Sequence, residues 1–326
     1  MDALIALYDQ GQLEEVVTQA NALLKQFPQA IILHNILGAA NAGLRRFDKA
    51  IRNYKQAITI KPDYVEAYSN LGIALKEKGD LGAAIETYKQ AIKINPSYAE
   101  AHSNLGNALK EKGDLSAAVK SCNRAIELKP TSAEAHNNLG IALQGSGKLK
   151  AAIESCNRAI KISPEYAEAH SNLGNALQEN GDLKASITSY THALEIKPDY
   201  TIARSHKLRQ QALICDWGAI ETDRHLIPGL GVSTDFVTPF AILYLEDHPA
   251  RHRQRSELFA QSKCKGRDTT LPALARPSKR PERLRIGYFS GDFNAHPVMR
   301  LMVKMFELHD RSAFEIHAFS LGPNYD

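Results

Sequence analysis

Small and apolar residues return at one fixed interval along the first two hundred residues. A Leu-Gly pair stands at Leu37-Gly38, Leu71-Gly72, Leu105-Gly106, Leu139-Gly140 and Leu173-Gly174, each 34 residues after the last. An alanine follows 12 residues beyond the glycine at Ala50, Ala84, Ala118 and Ala152, with Ser186 in the last unit. A second alanine, at Ala57, Ala91, Ala125, Ala159 and Ala193, precedes by five the prolines at 62, 96, 130, 164 and 198. Small residues at these places let two antiparallel helices approach closely, while bulky ones fill the space between them. Gly79-Asp80, Gly113-Asp114 and Gly181-Asp182 supply the turn within a pair: glycine ends the first helix and aspartate caps the second. The proline then terminates the second helix. The pattern predicts full helix pairs at 31–64, 65–98, 99–132, 133–166 and 167–200, with half of an earlier unit in 1–30 and a closing helix at 201–213. One pair cannot bury its apolar face alone, so the pairs stack into a mainly α solenoid over 1–213.

The periodicity changes character after about residue 213. Residues 214–282 carry no clear repeat and read as an irregular connector. LRIGYF (284–289) is apolar and β-rich, SGDFNAHP is a polar turn, and MRLMVKMFEL is helical, with Pro297 placed to open that helix. FEIHAFSL (314–321) reads as a second strand. Residues 283–326 thus predict an incomplete α/β (Rossmann-like) βαβ unit, in which ligands gather at the C-terminal ends of the strands.

Composition narrows the classes. About 44% of the residues are hydrophobic and 23% charged, the profile of a folded, soluble chain. The N-terminus is acidic where a signal peptide is basic, and no apolar stretch is long enough to span a membrane, so a cytoplasmic protein is expected. Cys122, Cys156, Cys215 and Cys264 form no CxxC pair, which speaks against a disulfide framework or a zinc site and for a reducing compartment. Residues 1–200 are balanced in charge, so the net +4 lies in 201–326. From Arg251 to Arg285 there are 11 basic residues against 3 acidic, but Phe259 is the lone aromatic in the run. That favours a solvated connector over a nucleic-acid interface.

Polar residues that keep the 34-residue interval are the candidate chemistry. His34, His102, His136 and His170 share one place in their repeats, as do Cys122 and Cys156 with Tyr54, Tyr88 and Tyr190. Both sets read as packing residues, without a second ligand set for a metal. Asn70, Asn104, Asn138 and Asn172 stand on the first helix of each pair beside the Leu-Gly face, with Asn107 and Asn175 three residues on. A row of amides offers a donor and an acceptor at each step, which suits the backbone of an extended polypeptide. The competing use is to hydrogen-bond neighbouring helices and stiffen the stack. A clamp for a terminal carboxylate would need cations here, whereas Ser69, Ser103, Asn137 and Ser171 precede the row.

The repeat resembles the tetratricopeptide pattern in period and in the placement of its small residues. Joined to Cys215-Asp216-Trp217 and to the motif Gly287, Tyr288, Ser290, Asp292, Phe293, His296 and Pro297, it resembles the protein O-linked N-acetylglucosamine transferases, glycosyltransferase family 41. Arg300 stands where many relatives have a second histidine. The resemblance implies inverting transfer of N-acetylglucosamine from UDP-GlcNAc to Ser or Thr of polypeptides, with no metal or other cofactor required. It places acceptor proteins in the superhelical groove and His296 at the junction of acceptor and sugar, where an imidazole exchanges a proton or donates a hydrogen bond. Because the resemblance ends after the opening of the first catalytic lobe, residues 1–326 alone are expected to be inactive. A non-catalytic peptide-binding scaffold is the alternative.

Overall fold

The protein is described from a computed structural model covering residues 2–232, 237–238, 242–243, 245–263, 284–290, 310, 312 and 314–320. The chain divides into two compact units, Met1–Cys264 and Lys265–Asp326.

The first unit is built from paired helices. They run α1 (Asp2–Asp9) with α2 (Leu13–Gln26), α3 (Ile31–Gly43) with α4 (Phe47–Ile60), and α5 (Val65–Lys78) with α6 (Leu81–Ile94). Next come α7 (Ala99–Lys112) with α8 (Leu115–Leu128), α9 (Ala133–Gly145) with α10 (Leu149–Ile162), and α11 (Ala167–Glu179) with α12 (Leu183–Ile196). The last pair joins α13 (Thr201–Leu213) to the short α14 (Trp217–Asp223). Asp80, Asp114 and Asp182 cap their second helices by accepting from the backbone N–H three residues on, at 3.0–3.1 Å. First helices lie against one another from α3 to α11, whereas second helices do not come as close to each other. The stack therefore has a tight inner rank of first helices and a splayed outer rank.

Each Leu-Gly glycine is the point of closest approach within its pair. A Cβ on Gly72 would fall 2.4 Å from the ring of Tyr88, and one on Gly106 would fall 2.4 Å from Sγ of Cys122. Tyr54, Tyr88 and Tyr190 fill the space over Gly38, Gly72 and Gly174, while Cys122 and Cys156 fill it over Gly106 and Gly140. Both thiols are fully buried, and burial pushes them up to about 12. They are core residues with little thiolate character. In a maleimide-labelling experiment at mildly alkaline pH, exposed Cys215 should react in the native protein, while Cys122 and Cys156 should react only in denaturant.

The recurring histidines brace one repeat to the turn before it. Nε2 of His34, His102, His136 and His170 lies 2.9–3.1 Å from the carbonyl oxygen of Pro28, Pro96, Pro130 and Pro164 respectively. A carbonyl only accepts, so Nε2 carries the proton and is engaged as a donor. One repeat further, Arg204 occupies the same place and donates to Pro198 O at 2.7 Å.

The 34-residue period outlasts residue 213. The turn residue after each first helix has positive φ at Gly11, Gly79, Gly113, Gly147 and Gly181, and the series includes Arg45 (57°) and Cys215 (59°). Asp216 then caps α14 by accepting from Ala219 N at 3.2 Å, as its counterparts do earlier. Cys215-Asp216-Trp217 is thus the turn of one more helix pair. Beyond it, a 3-10 turn (Arg224–Gly229) and α15 (Pro249–Lys263) complete the unit. Ile220, Ile227, Leu230, Val237 and Ile242 pack on Leu208 of α13.

Up to Lys263 this differs from the expectation of an irregular, solvated connector, because Arg255 within the basic run is fully buried; residues 264–282 of that segment lie outside the described residues. Its guanidinium donates to Leu230 O at 2.7 Å and Ile227 O at 2.9 Å, and pairs with Glu246 at 2.8 Å. Glu246 is also paired with Arg251 at 2.5 Å.

In the second unit, β1 (Leu284–Ser290) and β2 (Phe314–Ser320) pair in parallel, in the register Leu284↔Phe314 through Ser290↔Ser320. A parallel pair needs a crossover connection. The helix expected between them lies outside the described residues.

Candidate functional site

The asparagine row forms one column along the inner rank, and each member reaches back to the preceding repeat. Asn70 Nδ2 donates to Asn35 Oδ1 at 3.2 Å, and Asn104 Nδ2 donates to Ser69 Oγ at 3.3 Å. Asn138 Nδ2 donates to Ser103 Oγ at 3.1 Å, and Asn172 Nδ2 donates to Asn137 Oδ1 at 2.9 Å. Each donor stands two residues before the Leu-Gly glycine, about 200° around the helix, and so faces away from its own partner helix. Each bond spans 35 residues because the acceptor sits one place earlier in the previous unit.

Tyrosines that open the first helices join this seam. The Tyr98 hydroxyl lies beside Ser69 and donates to Glu100 at 2.8 Å, while Asn137 also donates to Tyr166 at 3.4 Å. Burial first, then nearby Glu100, raises the Tyr98 phenol above its ordinary value.

One N–H of every ladder amide is therefore spent on holding repeats together, the stiffening use that competed with a peptide groove. On Asn70, Asn104 and Asn172 the second N–H and the oxygen are left over, and no described donor reaches these oxygens, whereas Asn138 also hydrogen-bonds Glu134. Exposure varies along the column: Asn70, Asn104 and Asn172 are half-buried, but Asn138 is only 8% exposed and offers a ligand little surface. The residues three places on differ as well. Asn175 Oδ1 accepts from the Tyr190 hydroxyl at 2.7 Å, whereas two repeats earlier the place of Tyr190 is taken by Cys122, which has no hydroxyl to give Asn107.

A second column went unnoticed in the sequence. Glu66, Glu100, Glu134 and Glu168 each precede a ladder asparagine by four residues, so the two rows share one helix face. Burial, then the neighbouring Glu100, raises the Glu134 carboxyl above its ordinary value. The signal was available as the same 34-residue spacing. Cations also stand on the first helices: Lys76 pairs with Glu111 of the next repeat at 3.5 Å.

The motif from Gly287 to Pro297 is described only in part. Gly287, Tyr288 and Ser290 lie on the backbone of β1. Asp292, Phe293, His296, Pro297 and Arg300 lie outside the described residues. Among the described residues, no three His, Cys, Asp or Glu side chains come together to hold a metal. No helix there is long and apolar enough to cross a membrane.

Comparison with known proteins agrees with both halves. Tetratricopeptide repeats match residues 46–79, 74–113, 106–147, 145–181 and 167–200. Glycosyl transferase family 41 matches residues 268–326. A curated relative, the probable UDP-N-acetylglucosamine–peptide N-acetylglucosaminyltransferase SEC of Arabidopsis thaliana, is 38% identical over 61 residues. That stretch is 17% of this chain and 6% of the relative, so the chain matches only a small part of it.

Two solved structures share the helical fold. An APC/C hetero-tetramer, Cut9–Hcn1, is 16% identical at TM-score 0.59, covering 78% of this chain and 48% of that one. The pilF protein of Pseudomonas aeruginosa is 16% identical at TM-score 0.54, covering 62% and 92%. The chain thus joins tetratricopeptide helix pairs to a segment, residues 268–326, that is similar to glycosyl transferase family 41.

Proposed function

We propose that residues 1–326 are the acceptor-binding part and catalytic opening of a protein O-GlcNAc transferase. The complete enzyme transfers N-acetylglucosamine from UDP-GlcNAc to Ser or Thr of polypeptides held along the inner rank of helices. The observation that carries this reading is the family 41 match at 268–326, downstream of the repeats in the same chain. The name of the Arabidopsis relative supports the donor and the peptide acceptor. In this reading β1 and β2 begin a Rossmann-like lobe, and His296 follows β1 at the mouth of the cleft. There it exchanges a proton with, or hydrogen-bonds to, the reacting groups. No metal enters, and the diphosphate leaving group is stabilised by cations and helix N-termini of the complete enzyme. Buried, unpaired Cys122 and Cys156 suit a reducing cytoplasm.

Acceptor polypeptide meets the free N–H and oxygen of Asn70, Asn104 and Asn172 and the flank of Asn107. Asn138 contributes by holding the seam and Asn175 by bracing its own helix pair. Repeated backbone contacts of this kind give affinity that grows with the length of an unstructured chain.

The test combines binding and stability. Asn104, Asn138 and Asn172 changed together to Ala should weaken binding of an unstructured Ser/Thr-rich polypeptide about tenfold or more, at a temperature where circular dichroism shows intact repeats. A lowered melting point with unchanged binding would leave the row its stapling role only. With UDP-GlcNAc added, the 326-residue polypeptide should bind acceptor without transferring sugar. Grafted in place of the matching region of an active family member, it should support transfer that His296→Ala abolishes. A graft without transfer favours the scaffold reading.

A further inference from the structure

The outer rank splays where the inner rank is tight, and between α6 and α8 the gap widens into a cleft of about 700 Å³. That volume lies in the range of pockets that hold specific ligands. Its floor is apolar, made by Ile92 of α6 and Leu105 of α7. Its rim carries Lys89, Lys93, Lys120 and Arg124 against a single acid, Glu127. Two of the cations are already paired: Lys89 with Glu86 at 2.7 Å, and Arg124 with Glu127 at 2.9 Å. Lys93 and Lys120 have no carboxylate within ion-pair distance among the described residues.

Sibling repeats show that this charge is not a by-product of the solenoid. Where this junction has Lys93, the flanking junctions have Thr59 and Glu127. Where it has Lys120, they have Glu86 and Glu154. The helix pairs and the Leu-Gly packing are common to all three, so the fold does not require lysine at either place.

We infer that the α6–α8 cleft is a docking site for a short acidic segment of a partner polypeptide, with an apolar side chain seated on Ile92 and Leu105. Its carboxylates meet Lys93 and Lys120. The occupant is separate from the acceptor on the inner rank, since Lys89, Lys93 and Lys120 lie on second helices. Charge complementarity selects an acid, and the apolar floor selects a polypeptide over a nucleic acid. A nucleic acid would need a basic stripe continuing along the array and aromatic platforms to stack on. Glu86 and Glu154 interrupt any such stripe, and the cleft lining has no phenylalanine, tyrosine or tryptophan.

The experiment uses the full chain and a fluorescein-labelled peptide in which Asp and Glu alternate with Leu and Phe. The variant Lys93→Glu/Lys120→Glu installs residues that sibling repeats already carry at these places, so it is expected to fold. Fluorescence anisotropy should show binding weakened about tenfold or more, since two attractions become repulsions. The control Lys150→Glu/Lys184→Glu makes the same change in net charge elsewhere on the second helices and should alter affinity less than about twofold. Raising salt from about 50 to about 300 mM should weaken wild-type binding. Equal affinity in the cleft variant and wild type would overturn the proposal, as would equal losses in both variants. So would an RNA oligonucleotide that competes as well as the unlabelled peptide.

Discussion

Arg255→Ala should release α15 from the rest of the first unit at a cost of about 3–5 kcal/mol, the range for removing one partner of a buried ion pair. The side chain is fully buried, and its loss strands three acceptors at once. The carbonyls of Leu230 and Ile227 lose their donors, and Glu246, nearly buried itself, keeps only Arg251. Hydrogen exchange checks this locally: amides of α15 should lose protection while those of α5 to α12 keep theirs. Uniform loss across all helices, or no loss in α15, would contradict the latch.

The same pair sets an acid limit. Burial alone would raise the Glu246 carboxyl, but the hydrogen-bonding guanidiniums of Arg251 and Arg255 outweigh it and hold the group below its ordinary value. A carboxylate with a depressed folded pKa adds stability that is complete above its unfolded pKa, about 4.3, and is lost as pH falls through the lower folded value. Docking of α15 should therefore weaken below about pH 4, and Glu246→Gln should flatten that dependence at a lower overall stability.

Gly72→Ala should be the most damaging single methyl in the repeats, at about 1–3 kcal/mol. Its Cβ would meet three ring atoms of Tyr88 at 2.4–2.8 Å, and that ring is 1% exposed, with nowhere to turn. Because each repeat is stabilised by its neighbours, a fault at α5–α6 weakens the array on both sides. Urea unfolding should show a broadened or split transition. Gly106→Ala makes a useful comparison. Its worst contact is the Cys122 sulfur at 2.4 Å, followed by backbone atoms at 3.2 and 3.3 Å, so Cys122→Ala should rescue it in part. Gly79→Ala should cost only about 1–2 kcal/mol, a price of left-handed backbone. Its Cβ would meet nothing within 4 Å, and Arg45 and Cys215 already hold that conformation at the same place in their repeats.

Arg45 and Cys215 also explain where reading the repeat from residues alone stopped short. The turn was recognised by glycine, so a cysteine at the same place hid the seventh helix pair, although Asp216 kept its 34-residue interval. The glutamate column was hidden differently. Exposed acids are common on helices, and a regular interval among them stands out only once the face they share with the asparagines is known.

By itself the sequence determined the helix pairs, their length, the close approach at the Leu-Gly glycines and the order of repeats before a β-rich end. These follow from local rules, where spacing along the chain stands for position around a helix. Only the tertiary structure decided where the ladder amides point, that Arg255 is a buried latch rather than part of a solvated run, and which outer junction opens into a cationic cleft. Those depend on partners 25 to 35 residues away, such as Leu230 O for Arg255 and Ser69 for Asn104. A polar side chain's role is set by what packs against it after the chain has returned, and no local period carries that information.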